Sequence, residues 1–192
     1  RAALLTLAVY AVNVDLEKLV ERPAKVTGLA LSTGGHDRIE AAKGSRPSGH
    51  RFVRFRLLDR NDLALHFLVS AAITVSTGDA IADFLGLYKE LGDSMGGSGF
   101  SFADMAANRA GVEFAKIAVN SRESAFKLQE FLSAHVVEDD FMPGTDNLPE
   151  GILEIEFRSL FEDVGSDAYN IVTEEIERRL AHCLLYQNFY PR

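Results

Sequence analysis

Cysteine is nearly absent. Cys183 is the single thiol in 192 residues. One thiol closes no intramolecular disulfide and builds no cysteine-based zinc site. The redox compartment stays open, because a secreted chain need not carry disulfides. Basic residues are also short, 20 Lys and Arg against 28 Asp and Glu, giving a net charge of −8 and a pI near 5.1. A chain of that sign repels phosphate backbones, which argues against nucleic acid as a partner. The densest basic run is "RFVRFR", Arg51 to Arg56. Its alternation suits a short strand with an exposed arginine face better than a nucleic-acid groove.

Long hydrophobic runs are missing too. Ala2 to Asn13 is apolar, and Leu63 to Gly78 is the longest uncharged run. Both fall short of the roughly 20 residues that a membrane span needs. The first segment reads as a buried helix, because "DLEKLVERP" continues it with helical spacing. The other reading is the tail of a signal or anchor segment. The sequence begins at Arg1 without a methionine, so residues before Arg1 are expected, and membrane proximity through them.

The composition that is present, 47% hydrophobic and 25% charged, is that of a globular chain with a real core. The expected fold is mainly α: one helical domain over residues 1–192, an antiparallel helical bundle, with room for a minor β-hairpin near residues 24–58. The hairpin would pair "AKVTGLAL" with "HRFVRFRLLD". Helical segments are read at Ala2 to Glu21, from an Asn61 or Asp62 cap, at "GDAIADFLGLYKELGD", and from a Ser101 cap. Further ones start at Asn120 or Ser121, within "ILEIEFRSLFEDVG", and from a Ser166 cap to the end.

Three central helices carry polar residues at helical spacing. Asp62, His66 and Ser70 fall at i, i+4 and i+8 of the first. Glu90 and Asp93 are three apart on the second, and Asp104, Asn108 and Gly111 share a stripe on the third. The surroundings are apolar, so these side chains must satisfy one another or leave costly unpaired groups. Two readings stand: a structural network that fixes helix register, and a site that binds a ligand or moves protons. No cofactor is implied. A metal is left unassigned, since one histidine is thin for a transition metal and carboxylates alone suit Mg²⁺ or Ca²⁺.

Other features carry less. Ser70 lacks a nucleophile elbow and is expected to bond its own backbone. The glycine loop "GDSMGGSGFS" has neither a Walker Lys-Ser/Thr nor the order of a dinucleotide fold, so it reads as a connector. "VEDDFMPGTDNLPEG" does not fit an EF-hand and reads as a solvated acidic loop.

The order of these residues resembles that of small bacterial envelope proteins of the VanZ-like and YfiM-like kind. The matching stretches are "DLALHF" (Asp62, His66, Phe67), "KELGD" (Lys89, Glu90, Asp93), "SGF" (Gly99, Phe100) and "DMAANRAG" (Asp104, Asn108, Gly111). They cover about a quarter of the chain, residues 62–111. The chain departs from the pattern at Leu63, where a Lys is usual. The resemblance implies an envelope or periplasmic setting, of the lipoprotein kind, and no established reaction. The expectation is therefore a binding or structural module built around His66, Glu90, Asp62, Asp93, Asp104 and Asn108. Its partner is a small molecule or a protein. The alternative is a hydrolase, metal-assisted or acid–base, with His66 or Glu90 as general base and Asp93 and Asp104 as orienting or metal-binding groups.

Overall fold

The computed structural model describes residues 55–77, 99–134 and 136–190, together with positions 3, 4 and 7. Six α-helices lie in that part of the chain: α1 (Asn61–Thr77), α2 (Phe102–Asn120), α3 (Arg122–Ser133), α4 (Glu154–Phe161), α5 (Asp167–His182) and α6 (Leu184–Phe189). A 3-10 turn, Glu138–Asp140, stands between α3 and α4. Among the described residues there is no strand, only two isolated β-bridges. The fold is a mainly α helical bundle.

Local chemistry fixes several helix starts. The hydroxyls of Ser101, Ser121 and Ser166 accept from the backbone N–H three residues on, at 3.1, 3.0 and 3.2 Å. Each satisfies a donor that the first turn leaves without an intrahelical partner. Ser121 serves twice, ending α2 and starting α3 in extended backbone.

α1 is buried nearly all round, with Leu63, Ala64, Phe67, Val69, Ala71 and Val75 at most 6% exposed. Such a helix needs partners on every side. Its chief partner is α2, which is lined with small residues, Ala103, Ala107, Ala110, Gly111 and Ala115. Gly111 lies directly against the Phe67 carbonyl, and a Cβ there would overlap that oxygen. The two backbones meet at this point because α2 has no side chain to keep them apart.

α2 stands between two cores. One joins α1 to Leu128, Met142, Leu180, Leu185 and Tyr186. The other gathers Phe102, Leu148, Ile152, Phe161, Tyr169 and Ile176. In the second, Phe100, Phe102, Phe157, Phe161 and Tyr169 stack edge-on or tilted, at centroid distances of 4.8 to 6.3 Å. A short link closes it: Phe100 and Ile152 exchange backbone hydrogen bonds of 2.8 and 3.0 Å.

Several expectations fall outside the described residues. These are the helix holding Glu90 and Asp93, the glycine loop up to residue 98, and the hairpin up to residue 54. Within residues 55–59, the described end of that strand reading, the chain turns instead of running on as a strand. Residues 57–60 form a tight turn in which Leu57 and Arg60 exchange two 2.9 Å hydrogen bonds. Leu58 and Asp59 both take positive φ, 50° and 62°, which non-glycine residues adopt at a cost. Glu138 holds that turn by accepting from the Leu58 N–H at 2.6 Å. Of the N-terminal segment, Leu4 is helical and packs into the first core. The last helix, read as continuous, breaks at Cys183, whose ψ of 135° separates α5 from α6.

Candidate functional site

The polar residues of α1 and α2 meet where the helices cross. Asn108, 3% exposed, stands between His66 and Ser70. His66 Nδ1 lies 3.3 Å from Asn108 Oδ1, and the Ser70 hydroxyl lies 2.7 Å from the same oxygen. Ser70 also reaches the His66 carbonyl at 2.6 Å. A hydroxyl has one proton, so it donates to one of the two and meets the other as an acceptor. Turning the Asn108 carboxamide over resolves the conflict. Its NH₂ group then donates to Ser70 Oγ and to a bare His66 Nδ1, while Ser70 donates to the His66 carbonyl. The His66 ring proton would then sit on Nε2, facing Asp104.

Asp104 completes the group. Its Oδ2 is 3.5 Å from His66 Nε2, and the two side chains are 14% and 10% exposed. That distance exceeds an ordinary hydrogen bond, so the pair is an electrostatic contact more than a bonded one. Burial pushes the Asp104 carboxyl above its usual range. The nearby His66 opposes that shift, Asp62 adds to it, and Ser101 and Arg60 oppose it weakly. Ser101 Oγ accepts from the Asp104 amide, yet among the described residues no donor reaches Asp104 Oδ1 within hydrogen-bonding geometry. The other end of the Asn108 carboxamide, which carries its oxygen once the amide is turned over, is likewise buried without a partner among the described residues. Two acceptors, one helical turn apart, are thus left open in the same place.

Asp62 stands apart from this cluster. It was expected on the His66 face, or as the helix cap. The helix instead begins at Asn61, and Asp62 forms a two-pronged pair with Arg60 at 2.6 and 3.2 Å. Arg60 reaches back to Glu150 as well, at 2.7 and 2.8 Å. The guanidinium hydrogen bond holds the Asp62 carboxyl below its usual range. The acidic loop is thereby partly tied into the fold: Glu150 binds Arg60 and Glu138 binds the Leu58 amide. Glu90 and Asp93 lie outside the described residues.

Sequence spacing singled out His66, Asp104 and Asn108, and these do meet. It set Ser70 on the His66 stripe, expected to converge with the Asn108 stripe, and gave it a bond to its own backbone; both contacts are present. Which member of one stripe touches which member of the other depends on where the two helices cross. Among the described residues no three His, Cys, Asp or Glu side chains are grouped to hold a metal ion. None of the described helices is long and apolar enough to cross a membrane.

Set against family models, curated proteins and solved structures, the chain matches none. Fold and site define a class only: a helical bundle with a buried imidazole–carboxylate–carboxamide group between two closely packed helices.

Proposed function

We propose that this chain is a binding module of the bacterial envelope, and that the α1–α2 group takes a small polar molecule. The observation that carries this reading is the pair of acceptors left open among the described residues, Asp104 Oδ1 and the Asn108 carboxamide oxygen. A network evolved only to fix register would pair them, since an unsatisfied buried polar group costs about 1–3 kcal/mol. Together they present two acceptors, the complement of an amine, an amide NH₂ or a water held for exchange. The envelope setting rests on the resemblance to VanZ-like and YfiM-like proteins. Five of the residues behind it, His66, Phe67, Asp104, Asn108 and Gly111, gather at the one helix contact.

A second reading has its own observation, the 3.5 Å approach of His66 Nε2 and Asp104 Oδ2. In a hydrolase His66 would be the general base, oriented by Asp104, with Glu90 as a second candidate base. Such hydrogen bonds tighten when a substrate closes the site.

Stability measurements on Asp104→Asn and His66→Ala test the proposal. A site that trades stability for binding gives a neutral or more stable Asp104→Asn variant. A purely structural network gives a loss of about 3 kcal/mol for each variant, as breaking a buried charged pair does. That second outcome, with no small polar molecule shifting the melting temperature, would remove the binding reading and the hydrolase reading together.

A further inference from the structure

A cavity of about 580 Å³ opens on the far side of α2, where α2 meets the end of α5 and α6. Its volume falls within the ordinary range for small-molecule sites. Glu113 lines it, nine residues past Asp104. That is about two and a half helical turns, which sets it on the opposite side of α2 from the polar group described above. The other walls include Glu177, Leu180, His182, Tyr186 and Tyr190.

The chemistry of the lining has one sign. Glu113 and Glu177 are its carboxylates, and among the described residues no lysine or arginine shares the wall. Each carboxylate also has a cation partner on α2. Lys116 takes Glu113 Oε1 at 2.8 Å, and Arg109 takes Glu177 Oε1 at 2.5 Å. Both pairs engage the same oxygen of their carboxylate, Oε1, and both are partly exposed. The Arg109–Glu177 pair is nearly half exposed, and such pairs are worth at most about 1 kcal/mol, so it yields readily to a competing cation. His182 Nδ1 lies 2.6 Å from the Arg178 carbonyl, so that nitrogen carries its proton outward to the backbone. Tyr186 is fixed by donating toward the Ala110 and Phe141 carbonyls, both 2.9 Å away. Its hydroxyl is therefore committed, and its ring is a rigid wall. Burial and Glu113 together hold the Tyr190 hydroxyl protonated.

We propose that this cavity binds an organic cation, an ammonium with a short apolar arm. The charge would lie against Glu113 and Glu177, and the arm against Leu180 and the rings of Tyr186 and Tyr190. Two carboxylates and two tyrosine rings around one space suit that class, since a cation gains from both the charges and the ring faces. An anion would meet two like charges there, and a neutral apolar guest would leave both carboxylates desolvated.

The experiment titrates phenethylammonium and tetramethylammonium chloride into the full chain at fixed ionic strength, with phenylethanol as the neutral control. Calorimetry reads the binding. Tyrosine emission reads it independently, because the chain has no tryptophan to mask it. Saturable binding of at least one ammonium is expected, with phenylethanol about tenfold weaker or worse, a difference of about 1.4 kcal/mol. Glu113→Gln/Glu177→Gln should weaken the ammonium by a similar factor, while Gly144→Ala, where a Cβ meets nothing within 4 Å, leaves it unchanged. Single Glu177→Gln, at a half-exposed position, serves if the double variant does not fold. The idea is overturned if neither ammonium saturates at millimolar concentration, if phenylethanol binds as tightly, or if the glutamine variants bind undiminished.

Discussion

Gly111→Ala tests the contact on which the whole α1–α2 arrangement rests. A methyl group at Gly111 would be built into the Phe67 carbonyl, with the Phe67 carbonyl carbon 2.9 Å and Cα 3.1 Å away. All three atoms are backbone, so no rotamer change relieves the overlap. The helices must part by roughly 1 Å to restore ordinary contact distances. Overpacking of this kind costs about 1–3 kcal/mol, and a backbone obstacle belongs at the upper end. Alanine recovers up to about 1 kcal/mol through its better helix propensity. The net expectation is a loss of about 2 kcal/mol. For a chain of this size that lowers the melting temperature by about 4–8 °C. The same movement should lengthen the Asn108 contacts to His66 and Ser70, which lie within a turn of the clash. Thermal and urea unfolding followed by circular dichroism give the measurement. Gly144→Ala is the control, because nothing lies within 4 Å of a Cβ there. A Gly111→Ala variant as stable as the parent would show that the helices do not pack at this distance.

Three other outcomes follow from the same structure. Asp104 has a folded-state pKa above its unfolded one, so the native state holds the extra proton between the two values. Its contribution to stability therefore falls as pH rises from about 4 through the folded pKa, and stays lost above it. Asp104→Asn should remove that fall, so the advantage of the variant over the parent grows with pH and then levels off in parallel melts. Phe102→Ala empties a fully buried position of the aromatic core and should cost about 3–5 kcal/mol by urea unfolding; a loss under about 1 kcal/mol would mean that the second core does not exist as described. Tyr186→Phe removes the donor facing the Ala110 and Phe141 carbonyls and should cost about 1–3 kcal/mol, with the fold kept.

How much was legible beforehand can be seen residue by residue. Ser101, Ser121 and Ser166 announced their helices because a cap is a bond across three residues of one chain. The apolar circumference of α1 announced its burial. His66, Asp104 and Asn108 were legible as one cluster because polar side chains at helical spacing in apolar helices must find each other. The failures are of another kind. Asp62 looked like a member of the His66 face or a cap, but Arg60, held in place by Glu150 from 90 residues away, draws it off. The "HRFVRFRLLD" strand reading ran on to Asp59, but its last residues, Leu57 to Asp59, lie in a turn whose Leu58 amide is bound by Glu138. The break at Cys183 has no local marker such as proline or glycine, and it turns Tyr186 toward carbonyls of α2 and of the loop after the 3-10 turn.

The sequence by itself therefore determined the helices, their caps and the list of polar residues that had to be buried together. These follow from bonds and periodicities that span a few residues. Only the tertiary structure decided which of those residues touch, how closely α1 and α2 approach, and that two polar atoms stay open between them. Those outcomes depend on distances between helices, set by the absence of a side chain at Gly111 and the filling of two cores on either side of α2.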